Sequence, residues 1–193
     1  MTVFDLKNLL KSLPAEHHMD SSRDATSVET TLSYLASDEA AKSLSVNCYW
    51  PKWDSPWWHM ALLYEMGHAK RIPTIAIERM VSAVAKLVPE FFLADVPPAC
   101  DPVLDTPCPC SLGSIYQILN AAGVDMDSEL PWARSWFLRH QMPDGGLNCD
   151  EDAYRAEPPA SSMVGTIAPL EAILFCTSRP FTPEEADFVD RGA

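Results

Sequence analysis

The residues of this 193-residue chain that could carry chemistry are its six cysteines, its six tryptophans and a few carboxylates set among apolar residues. The cysteines stand at Cys48, Cys100, Cys108, Cys110, Cys149 and Cys176, too dispersed for a small disulfide scaffold, and are expected to remain thiols. A free thiol titrates near pKa ~8.5 and is only a few per cent ionised at neutral pH, so it needs a neighbouring cation or metal to become a strong nucleophile. No Cys-x-x-Cys or His-x-x-x-His pair is present, and Cys108-Pro109-Cys110 reads as too tight for a two-ligand zinc knuckle. Four tryptophans, Trp50, Trp53, Trp57 and Trp58, fall within nine positions. Such rings stabilise a cation by roughly 0.5–2 kcal/mol each, or serve as packed anchors at helix starts. Asp54 and Glu65 could work as an acid/base pair in a sugar-active protein, which would also use tryptophan platforms. No Gly-x-Ser-x-Gly elbow supports a hydrolase, and Asp144-Gly145-Gly146 lacks the Lys-Ser or Lys-Thr of a phosphate loop.

Composition narrows the classes further. With 47% hydrophobic and 21% charged residues the chain reads as one globular domain over residues 1–193. Fourteen Lys and Arg against 27 Asp and Glu give a net charge of −13, which argues against nucleic acid or an anionic membrane as partner. No apolar run is long enough to span a bilayer. Met1 to Leu13 alternates apolar residues with Asp5, Lys7 and Lys11, unlike a secretion signal, so a cytoplasmic location is the expectation.

Seventeen prolines against seven glycines punctuate helices rather than hairpins. Residues 1–45 read as N-terminal helices: one capped by Thr2 with Val3, Leu6, Leu9, Leu10 and Leu13 on a face, then polar residues 16–24, then a second starting at the Thr26/Glu29 capping box. From residue 46 onward helix pairs follow. Ser55-Pro56 opens a helix that stops at Gly67, and Pro73 opens a partner predicted to run five turns to Phe91. Cys110 and Ser111 open a helix that stops at Gly123, with a partner from Asp127, Ser128 and Pro131 to Gln141. Ser161 or Ser162 opens the last pair, whose second member begins with the cap, proline and capping-box glutamate of Thr182-Pro183-Glu184-Glu185. The units recur at roughly 50 to 56 residues, a period typical of stacked supersecondary repeats. The last helix has only about ten residues before Ala193, so a C-terminal truncation, or a second copy that completes the packing, is expected.

The segment from Trp136 through Gln141 to Asp144-Gly145-Gly146-Leu147 resembles the repeat of the prenyltransferase and squalene-cyclase class, in which an outer helix ends in Gln before an Asp-Gly-Gly-aromatic turn. Ser161 to Thr166 with Ala168 to Ala172, and Trp53 to Met60, are similar to further segments of that class, and the likeness extends from Trp50 onward. Leu147 departs from it in replacing the aromatic, and the chain supplies about half of the six helix pairs of a full ring. The resemblance implies an all-α fold of antiparallel helix pairs forming a partial α/α toroid, and a terpenoid-cyclase-like or transferase-like protein that binds or transforms an isoprenoid or other hydrophobic small molecule. The Asp-x-Asp-Asp and Asp-Asp-x-x-Asp motifs of that chemistry are absent, which argues against squalene-type cyclisation. A zinc-activated thiolate is the remaining option, with His59, Cys110, Cys149 and Asp150 as its ligands because all four lie near predicted starts of inner helices. Asp54, His59 and Asp150 are the candidate catalytic groups, and Trp53, Trp57, Trp58 and Tyr116 the candidate substrate-binding ones. A homodimer would complete the ring. Two other functions fit the same pattern: a non-catalytic helical-repeat scaffold that binds a protein or peptide, and a carbohydrate-active toroid.

Overall fold

The computed structural model describes residues 21–193, which form helices and loops with no strand among them. The helices are α1 (Ser21–Leu35), α2 (Asp38–Val46), α3 (Pro56–Glu65), α4 (Thr74–Val84), α5 (Pro109–Ala122), α6 (Met126–Glu129), α7 (Pro131–Arg139), α8 (Asp152–Arg155), α9 (Met163–Cys176) and α10 (Pro183–Gly192). Single 3-10 turns occupy Ala69–Arg71 and Pro89–Phe91. None of these helices is long and apolar enough to cross a membrane. The helix expected over residues 2–13 lies outside the described residues.

Most starts and stops follow their punctuation. Pro56, Pro109, Pro131 and Pro183 each occupy the first turn of a helix, where a missing N–H costs nothing. Gly67 and Gly123 follow α3 and α5 at φ +73° and +102°. Ser162 accepts the Gly165 amide at 3.0 Å, and Thr182 with Glu185 closes a full capping box. Two boundaries differ from expectation. α1 begins at Ser21 and carries Thr26 inside it, because Arg23, Asp24 and Ala25 offer no glycine or proline to stop a helix. α4 ends at Val84, well short of Phe91, because Pro89 holds Val88 in an extended conformation and its amide donates to Asp105 O instead.

Three helices with apolar flanks, α3, α5 and α9, organise the core: α5 packs along α9 on one side and against α3 on the other. Leu112, Ile115, Tyr116 and Leu119 of α5 are buried with Met60 and Leu63 of α3, Ile173 of α9, and Trp136 and Phe137 of α7. Gly113 permits the close α5–α9 crossing, since a Cβ there would lie 2.5 Å from both the Ala168 carbonyl carbon and the Pro169 nitrogen. The C-terminal helix is fixed by two polar clusters. Buried Glu185 accepts both Arg179 guanidinium nitrogens at 2.7 and 2.8 Å and lies 3.2 Å from Arg134. The Gln141 amide donates to Gly145 O at 2.7 Å and to Phe188 O at 2.8 Å, tying the Asp-Gly-Gly turn to α10.

Gly113→Ala should therefore separate α5 from α9 and cost about 1–3 kcal/mol by overpacking. In a chain of this size that lowers Tm by roughly 2–4 °C per kcal/mol, read by thermal denaturation. An unchanged Tm would mean the two backbones do not meet there.

Candidate metal centre and apolar groove

The first turn of α5 gathers the thiols. Cys108 is the extended residue just before the helix (φ −108°, ψ 134°), Pro109 follows, and Cys110 sits within the first turn. That change of backbone conformation swings two side chains onto one side, and their sulfurs stand 3.6 Å apart. Cys149 arrives from the loop after the Asp-Gly-Gly turn, and all three Sγ atoms lie within 4.8 Å of one another. The loop that carries it is anchored on α9: Leu147 N donates to Thr166 Oγ1 at 2.9 Å, and Ser162 N to Leu147 O at 2.9 Å. Asn148 adds a bond from its Nδ2 to Ala160 O at 2.8 Å and one from its N to Tyr154 Oη at 3.1 Å.

A wall of the site comes from the segment before α3. Buried Asn47 accepts the amides of Tyr49 and Trp50 at 2.8 Å each and donates to Leu104 O at 2.7 Å, so one side chain ties two loops together. Trp57 stacks on Tyr49 with ring centroids 4.7 Å apart, and the Tyr49 hydroxyl reaches to 3.7 Å from Cys110 Sγ. Hydrogen bonds from the Cys108 and Cys149 thiols, with help from Tyr49 and the charge of Lys52, hold the Cys110 thiol far below its ordinary value despite burial. Cys108 moves up as the donor to Cys110. These groups, with Lys52, Phe92, Thr106, Asp150 and Arg155, surround a cleft of about 710 Å³. Thr106 Oγ1 is buried there and is the only buried side-chain polar atom among the described residues without a hydrogen-bond partner.

The donor set fits zinc. Zn–S bonds of about 2.3 Å in a tetrahedron place neighbouring sulfurs about 3.8 Å apart, close to the 3.6 Å between Cys108 and Cys110. Three thiolates fill three positions and leave a fourth, the coordination of an open rather than a closed site.

Of the four expected ligands the structure brings two together, Cys110 and Cys149. Cys108, which the tight Cys-Pro-Cys spacing had argued against, is the third member of the group. The spacing is workable because the two residues flank the start of a helix rather than lying within one. Asp150 is exposed on the same cleft, with its carboxylate accepting the Asp152 amide at 3.0 Å, and is not in the group. His59 is also outside it, packed 4.2 Å from the Tyr34 ring on the α1 side of α3, where burial lowers its pKa. Asp54, exposed before α3, lies near His59 rather than on the cleft.

A second concavity, an apolar groove of about 480 Å³, lies between α3, α5 and α9. Trp57 and Trp58 line it, with Leu62, Ile118 and Ile167. Trp53 stands at the surface, edge-on to Trp58 at 4.8 Å. Tyr116 does not line the groove. It is buried on the side of α5 towards α7 and accepts Arg134 Nη2 at 2.9 Å, whereas Ser114, Gln117 and Ile118 face the groove. Glu65 shares the groove with Glu171, a residue the sequence reading overlooked; its place four residues after groove-lining Ile167 on one helix face was the available signal.

Burial, and secondarily the nearby Glu65 charge, raises the Glu171 pKa above 4.5, against a lowering by Gln117. A carboxyl with a raised folded pKa favours the fold when protonated, and that contribution is lost as pH rises from the unfolded value through the folded one. Glu171→Gln should accordingly raise Tm at pH 7.5, with the gain shrinking towards zero as pH falls below the ordinary carboxyl range. A Tm gain of equal size at pH 3.5 would contradict this. No protein-family model, curated protein or solved structure matches this chain.

Proposed function

We propose that the protein binds a hydrophobic small molecule of isoprenoid character in the groove between α3, α5 and α9, with the ligand's reactive end beside a thiolate-bound zinc at the start of α5. On this reading those three helices are inner helices of a partial α/α toroid of the prenyltransferase and squalene-cyclase kind. The observation that carries it is that the two concavities follow one another along the same helix faces. On α5, Cys110 lines the cleft while Ser114 and Gln117 line the groove; on α9, Val164 lines the cleft while Ile167, Ala168 and Glu171 line the groove. Seven residues of helix rise by about 10 Å, so an elongated molecule lying along both concavities would have to span at least that length.

Each part of the site has a role in this reading. The apolar walls exclude water from the ligand's body, and the aromatic faces of Trp57 and Trp58 pack along it. When bound, zinc would lower the pKa of a coordinated thiol or water and act as a Lewis acid at the open position. The Tyr49 hydroxyl, 3.7 Å from Cys110, steadies the charge on that sulfur.

Protein purified without a polyhistidine tag and dialysed against zinc should hold one equivalent by elemental analysis. Cys108→Ser, Cys110→Ser and Cys149→Ser should each weaken zinc affinity at least tenfold, while His59→Gln should leave it unchanged. Less than a tenth of an equivalent in the unaltered protein, or loss in His59→Gln alone, would refute the assignment.

A further inference from the structure

Resting on the reading of the groove as a hydrophobic-ligand site, we propose that its ligand is a cationic amphiphile, whose ammonium head lies at the Glu65 and Glu171 end and whose apolar body runs back towards the thiols. Glu65 and Glu171 both line the groove, and no lysine, arginine or histidine is among the described residues that do. Neither carboxylate is in an ion pair among the described residues. Gln117 at this end accepts the Tyr64 hydroxyl at 3.3 Å, donates to Ala168 O at 3.1 Å and also hydrogen-bonds the Glu171 carboxylate, without supplying a counter-charge.

Electrostatics and shape select the same ligand. Half-buried Glu171, beside apolar walls, gains more from a counter-charge than a carboxylate in open water because the local dielectric is lower, and exposed Glu65 adds a second negative charge near it. A diphosphate or carboxylate head would meet two like charges with nothing to neutralise them, in a chain whose net charge is −13. The groove's 480 Å³ suits a single small amphiphile rather than a helix of a partner protein.

The test is calorimetric titration of the zinc-loaded chain with octyltrimethylammonium, octanol and octanoate, each below its micellar concentration. The quaternary head has no lone pair and does not compete for the metal. The expected result is at least tenfold tighter binding of the ammonium than of octanol, with octanoate weakest. In the double variant Glu65→Gln with Glu171→Gln the ammonium should fall to within about twofold of octanol, while octanol affinity stays put and shows that the groove remains folded. Equal binding of octanol and the ammonium to the unaltered chain, or a preference that survives in the double variant, would overturn the ammonium assignment and leave the groove reading standing. Failure of all three to bind would overturn both.

Discussion

The close crossing of α5 and α9 at Gly113 is the contact on which the rest of the site depends. With the Gly113 backbone against Ala168 and Pro169, the first turns of the two helices are brought side by side. The α5 turn carries Cys108 and Cys110. The α9 turn carries Ser162 and Thr166, which bind both polar groups of the Leu147 backbone and thereby set the loop that delivers Cys149. The thiol cluster is thus a product of helix packing, and its two halves come from residues about forty positions apart. The same crossing shapes the groove, whose floor consists of the α5 and α9 turns that follow those first turns.

Polarity changes stepwise along these helix faces. Soft sulfur donors, a phenol and an unpartnered hydroxyl lie at one end, aromatic and aliphatic walls in the middle, and two carboxylates at the other. Partial burial of Glu171 beside apolar surface raises its pKa, so its ionised form costs the fold. That cost is carried at a concave surface and not in the packed core, as the proposed ligand site requires. The acidity of the chain, which composition alone connects only with solubility and the exclusion of nucleic acid, acquires a local meaning at this groove.

Much of the fold was legible because helix ends are encoded locally. Ser55-Pro56, Gly67, Gly123, Ser162 and the Thr182 capping box each mark a boundary within a residue or two, since the groups that satisfy a helix end are its immediate neighbours. Gln141 was legible for the same reason: its amide binds Gly145 O four residues away. The site was less legible because it is built from tertiary contacts. Cys108 looked unusable by spacing, and only the switch from extended to helical backbone at Pro109 makes it a partner of Cys110. His59 and Tyr116 have suitable chemistry, but their places on α3 and α5 turn them towards α1 and α7, and helix periodicity does not say which neighbour occupies each face.

The most direct measurement of the central claim is zinc K-edge X-ray absorption on the metal-loaded chain. The account predicts three sulfur scatterers at about 2.3 Å and one nitrogen or oxygen at about 2.0 Å. Titration with octylthiol, whose tail fits the groove, should convert the signal to four sulfurs, showing that the open position faces the groove end of the cleft. A zinc signal dominated by nitrogen and oxygen, or a three-sulfur centre that never accepts the thiol, would contradict it.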